Sequence, residues 1–175
     1  CLSVCCFPHV RAVLLMEKDT DRNASVIVLL SLSFFNLRMR QLTDCLPPES
    51  IPLVENQLSE YKNLTIRLVK PRKRILGNYF QDRDGKHIIT LNENLAPYAM
   101  LIVLIHETAH LETRLIYGRK VNPHGKEWKQ IYSSLLKNYI YKNVFSKQWA
   151  ETVFLHAQKP CATFPKSLAG LRMTE

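Results

Sequence analysis

The chain is short of several things that would each have assigned it a class. Only 5 of its 175 residues are glycine and 9 are proline, which excludes collagen-like and low-complexity architectures. There is no C-x-x-C pair. Cys1, Cys5, Cys6, Cys45 and Cys161 are odd in number, and three of them crowd the first six positions. A disulfide framework is therefore not expected, and reduced thiols in a cytoplasmic protein are the plain reading. Long apolar runs are missing too: the N-terminal ones, 10–16 and 26–37, fall short of the ~20 residues that span a bilayer, so no membrane partner is expected. Acidic residues number 15 against 24 Lys and Arg, a formal net charge of +9. That excess admits an anionic partner without choosing one.

What is present describes one globular domain with an appendage. The chain is 46% hydrophobic, and at this length it can bury roughly two-thirds of its unfolded surface. It does not need a metal merely to fold, so a metal site here reads first as chemistry. Residues 1–38 change composition abruptly before the first helix signal and are expected to lie outside the domain, with Met39 as a start. The domain is expected over 42–160, with a C-terminal tail over 161–175.

The punctuation then becomes regular. Ser50 follows Pro47-Pro48, and Ile51, Val54, Leu58 and Tyr61 recur at helical spacing, which predicts a helix over 51–62. Leu64, Ile66 and Leu68 alternate with polar neighbours as a strand. Candidate strands 74–80 and 86–92 flank Asp84-Gly85, whose glycine supplies the positive φ of a hairpin turn. Two or three antiparallel strands are expected. A long apolar helix follows over 95–117, stopped by Gly118, and Asn122-Pro123 opens another whose Trp128, Ile131, Leu135, Leu136 and Tyr139 share one face. The fold class is α+β.

The long helix carries His106-Glu107-Thr108-Ala109-His110. Histidines at i and i+4 lie one turn apart on the same face, where both can bind one zinc ion, and Glu107 sits beside them. Two neutral nitrogens hold the metal while leaving positions open, a bound water is acidified, and the carboxylate takes its proton. Chance alone would place this motif in roughly one shuffled chain of this composition in a hundred. A catalytic zinc has three protein ligands as a rule, and His124, at the start of the next helix, is the candidate third. Gly125 beside it would admit close backbone approach to the metal. The rivals His9, His87 and His156 are read as ordinary surface histidines. Glu112 is turned to another side of the helix.

The run from Ile105 to His110, then Tyr117-Gly118-Arg119, then Pro123-His124-Gly125-Lys126-Glu127-Trp128, resembles the SprT-like zinc metalloprotease family. The resemblance extends upstream through Leu76-Gly77-Asn78-Tyr79 and Ile88-Ile89-Thr90-Leu91-Asn92 and covers roughly 42–160. It implies a compact zincin-like protease core with a small antiparallel sheet packed on the H-E-x-x-H helix. It also implies Zn²⁺ held by His106, His110 and His124, with Glu107 as general base. Many members carry a C-terminal cysteine zinc ribbon; of such cysteines only Cys161 is present here.

The activity expected is zinc-dependent hydrolysis of peptide bonds in extended or unfolded protein substrates, including DNA-associated ones. The alternative is a zinc-binding regulatory or DNA-associated module with little peptidase activity, and a zinc hydrolase of non-peptide amides is a third reading. Strand 86–92 is the candidate edge for taking up an extended peptide. Lys70, Arg72, Lys73 and Arg74 form the candidate nucleic-acid contact. Tyr98, Tyr117 and Arg114 are unranked candidates for stabilising the oxyanion.

Overall fold

In the computed structural model, residues 41–163 are described. The expectations for residues 1–38, His9, Met39 and the tail beyond 163 lie outside them. The described chain is α+β: a short 3-10 turn Pro48–Ser50, helix α1 (Ile51–Ser59), strands β1 (Leu64–Val69), β2 (Gly77–Gln81) and β3 (His87–Asn92), then helices α2 (Pro97–Tyr117), α3 (Lys126–Tyr141) and α4 (Lys147–Gln158).

Helix α2 lies at the centre of the core formed by the described residues. Its residues from Ala99 to Ile105 are all buried, as expected of a helix that is apolar all round. Against it lie Val54 and Leu58 of α1, Ile89 and Leu91 of β3, Trp128, Leu136 and Tyr139 of α3, and Val153 and Ala157 of α4 in one core. Gly118, at φ 72°, ends the helix as the sequence predicts, its N–H donating to Arg114 O at 3.0 Å.

The sheet corrects two expectations. Its order is β1-β3-β2, with β1 parallel to β3 and β2 antiparallel to β3. It is mixed rather than purely antiparallel, and strand 86–92 is central rather than an edge. The hairpin itself forms as predicted: Gly85 adopts φ 81° and Lys86 N–H donates to Asp82 Oδ1 at 2.8 Å. The difference arises in the link 70–76, which carries the chain past the place that β3 later fills. Arg72 pins that link, donating to Asn92 Oδ1 at 2.8 Å and Thr90 Oγ1 at 3.0 Å. Asn92 Nδ2 donates back to Ile75 O at 3.0 Å and Arg72 O at 3.2 Å. The near-continuous burial of β3 is that of a strand covered on both sides.

Helix α4 is not among the elements expected from the sequence. Its buried positions, Val153, His156 and Ala157, fall at three-to-four-residue spacing, and the chain turns into it through Asn143 at φ 57°.

Candidate metal centre and cleft

Two elements bring the chemistry together. Helix α2 sets His106 and His110 on one stripe, and the reversal after Gly118 returns the chain so that His124 faces them. His110 Nε2 and His124 Nε2 are 3.0 Å apart, and His124 Nε2 and His106 Nε2 are 3.3 Å apart. The three nitrogens lie within 4.8 Å of one another and can hold a metal ion. Nitrogens about 2.0–2.1 Å from a tetrahedral zinc would be separated by about 3.3 Å, so the spacing fits that ion. The protonation states fit as well. Burial, reinforced by the neighbouring imidazoles, pushes His106 down to about 3 and His110 to about 4. Burial and the nearby Lys129 also lower His124. All three are neutral at pH 7, with lone pairs to offer.

The floor of the centre is aromatic. Trp128 is fully buried and its ring centroid lies 4.7 Å from His106, 5.2 Å from His110 and 4.7 Å from His124. Its indole N–H has no acceptor among the described residues. Tyr132 stacks on Trp128 at 4.8 Å and stands 5.3 Å from His106. Its hydroxyl meets His156 Nε2 at 3.3 Å. Tyr132 lines the cleft although the sequence reading does not single it out; its i+4 spacing from Trp128 was the available signal.

Glu107 is only 6% exposed. Burial pushes its carboxyl up to about 7, against the opposing pull of the Tyr79 backbone N–H that hydrogen-bonds it and of the Arg72 charge. It is reached by β2 at unusually close range. A Cβ on Gly77 would stand 2.6 Å from Val103 Cγ1 and 2.8 Å from Glu107 Oε1, so only glycine lets this strand lie against the helix here. In an antiparallel ladder alternate residues turn their backbone groups away from the partner. With Asn92 N–H bonded to Leu76 O and Asp82 N–H to Lys86 O, those of Gly77, Tyr79 and Gln81 turn away from β3, the Tyr79 N–H being taken by Glu107. The edge beside the centre is therefore β2.

The remaining candidates fall elsewhere. His87 is buried with Nδ1 2.8 Å from Tyr79 Oη, and His156 is buried against Tyr132, so neither is the surface histidine expected. Glu112 accepts from Tyr61 Oη and, at 3.4 Å, from Gln57 Nε2, which ties α1 to α2 away from the centre. Gly125 closes the turn before α3, its N–H donating to Asn122 O at 2.9 Å. Tyr98 stacks on Phe145 and Tyr117 is exposed at the helix end, while Arg114 lines the cleft. Arg72 is committed to the sheet, leaving Lys70, Lys73 and Arg74 exposed in the basic link. The cleft, about 760 Å³, runs from Ile75 and Gly77 past the histidines to Arg114, Arg119 and Thr163.

The model of the SprT-like family matches residues 52–148, more than half of the chain and inclusive of the three histidines and Glu107. This chain belongs to the SprT-like family. No solved structure matches it. The matched span lies inside 42–160 and takes in β1 to β3, α2 and α3, and with them the cleft-lining residues other than Ala162 and Thr163. No helix among the described residues is long and apolar enough to cross a membrane.

Proposed function

We propose that this SprT-like domain is a zinc-dependent metallopeptidase that hydrolyses peptide bonds in extended protein chains. The observation that carries this reading is the buried carboxyl of Glu107 beside three converging imidazoles in one open cleft. In this reading the core is zincin-like, and His106, His110 and His124 are the metal ligands. Bound zinc supplies Lewis acidity, lowering the pKa of a water toward about 7 and polarising a carbonyl.

The chain's own residues do the rest. Neutral imidazoles leave Nε2 free for the metal at physiological pH. Glu107 Oε1 or Oε2 receives the proton that the attacking water loses and returns it to the departing amine nitrogen; a carboxyl held near 7 is suited to both transfers. Trp128 and Tyr132 exclude solvent from beneath the histidines. The edge of β2, in place of strand 86–92, offers backbone groups to an extended substrate. Lys70, Lys73 and Arg74 are the residues through which a nucleic acid would be met, and a flat dependence of DNA affinity on salt would remove that contact.

The test is zinc content together with cleavage of an unfolded protein, with and without DNA, for the wild type and Glu107→Gln. Cleavage should fall by about 10²–10⁴-fold in the variant while zinc is retained. Equal cleavage by the two proteins would return the chain to a metal-binding module without peptidase chemistry.

A further inference from the structure

We propose that the cleft selects peptide segments carrying an acidic side chain about three residues from the bond to be cleaved, with Arg114 as the fixed anchor. This deepens the peptidase reading and rests on it. Apart from the histidines and tyrosines, the ionisable residues lining the cleft are Arg74, Arg114, Arg119 and Glu107. Glu107 belongs to the chemistry, so the selecting charges are all positive. Among the described residues none of these arginines forms an ion pair.

Arg114 differs from the other two in being held. Its Nε and Nη2 donate to Gln81 Oε1 at 3.2 and 3.0 Å. The partner is a neutral amide, so the orientation is fixed while the charge is not cancelled. Three of the five guanidinium N–H groups remain for an incoming acceptor, and a pre-oriented fork suits a carboxylate. The placement follows from helix geometry. Arg114 lies seven residues beyond Glu107 on α2, two turns along the same stripe and about 10 Å away. The edge of β2 runs alongside that stripe, with Gly77 against Glu107 and Gln81 accepting from Arg114. An extended chain covers about 10 Å in three residues.

A phosphate would also satisfy a guanidinium. A peptide is favoured because Ile75, Leu76, Val103 and Val121 share the wall with the arginines.

The experiment uses the full-chain Glu107→Gln protein loaded with zinc. Three labelled peptides, identical except for Asp, Asn or Lys at the third residue on both sides of the central bond, are titrated by fluorescence anisotropy. The wild type is then assayed for cleavage of the same peptides. The Asp peptide should bind roughly tenfold tighter than the Asn peptide, as expected of a charge-assisted hydrogen bond in a half-buried site. The Lys peptide should bind weakest, high salt should compress the order, and adding Arg114→Glu should reverse it. Ratios within one variant do not depend on the fraction that folds. Equal binding of the three peptides, or an order that Arg114→Glu leaves unchanged, overturns the proposal. So does Arg114-dependent displacement of the Asp peptide by a single-stranded oligonucleotide at far lower concentration, which would assign the arginines to phosphate. If the order holds in binding but the zinc-loaded wild type cleaves none of the peptides, the peptidase reading fails and the acidic selectivity stands.

Discussion

Five of the six histidines lie among the described residues, all wholly or partly buried, and they divide into two kinds of place. His87 and His156 each meet a tyrosine hydroxyl, at 2.8 and 3.3 Å. His106, His110 and His124 instead turn nitrogens toward one another. Burial lowers the pKa in both groups, so burial does not tell them apart. The partner does. A hydroxyl can donate to or accept from an imidazole and so completes it, whereas three neutral imidazoles facing one point leave lone pairs that a cation would satisfy. The difference separates histidines completed within the fold from histidines that could hold a metal ion.

The largest expected effect breaks that comparison on one side only. His124→Ala should drop bound zinc from about one per chain to a small fraction of that and abolish cleavage, since a catalytic site rarely functions on two protein ligands. His87→Phe should keep its zinc. Metal analysis after dialysis against trace zinc reads both, and loss of metal from His87→Phe would erase the distinction.

Gly77→Ala tests the strand that bears on Glu107. The added methyl would meet Val103 and Glu107 at 2.6–2.9 Å, and overpacking of this kind costs about 1–3 kcal/mol. Urea denaturation should report that loss, with cleavage falling further than stability and zinc content unchanged. A gain of about 0.4–1 kcal/mol, the entropic benefit of alanine at an unstrained site, would mean that β2 does not press on the helix there.

The pH dependence of the metal-free protein separates the histidines from Glu107 by sign. The folded pKa values of His106 and His110, about 3 and 4, lie below the ordinary 6.5. The unfolded chain therefore binds more protons, and the stability they contribute is full above pH 6.5 and lost as pH falls toward 3. Glu107 runs the other way: raised from 4.5 to about 7, it binds its proton in the folded state, and its contribution is lost as pH rises through that window. Glu107→Gln should therefore steepen the rise of stability between pH 5 and 6.5 by up to about 1.4 kcal/mol per unit. At pH 8 it should leave the metal-free protein more stable than the wild type by about 3 kcal/mol. Denaturation midpoints across pH measure both, and parallel curves for the two proteins would contradict the burial of a charged Glu107.

The convergence of His106, His110 and His124 was legible because its spacing is local: i and i+4 on one helix, a glycine stop, and a histidine at the next helix start. The hairpin was legible for the same reason in Asp84-Gly85. The strand order was not, because alternation reports which face a residue takes and says little about which strand it pairs with. Ile88-Ile89, apolar on both faces, was the one sign that β3 is central. Arg72 read as part of a basic run, but its hydrogen bonds reach 18 and 20 residues along the chain to Thr90 and Asn92, beyond any local pattern. Gly77 was visible only as a letter in the family resemblance, since its role lies in what stands opposite it. His156 was misread because α4 buries only a narrow stripe of a polar segment.

The smallest expected effect sharpens the comparison from its quiet side. His156→Phe keeps a ring against Tyr132 and removes one hydrogen bond from a phenol that is 1% exposed. Loss of such a partner costs on the order of 1 kcal/mol, with the hydroxyl left unsatisfied. That deficit should be fullest above pH 6.5. His156 is buried neutral, and its pKa is lowered by desolvation, so below 6.5 the wild type progressively loses stability that the phenylalanine variant never had. The gap between the two proteins should therefore narrow on acidification, while zinc content stays that of the wild type. A gap that widens in acid would mean that His156 is charged in the folded protein, and the division between completed and converging histidines would then have to be drawn elsewhere.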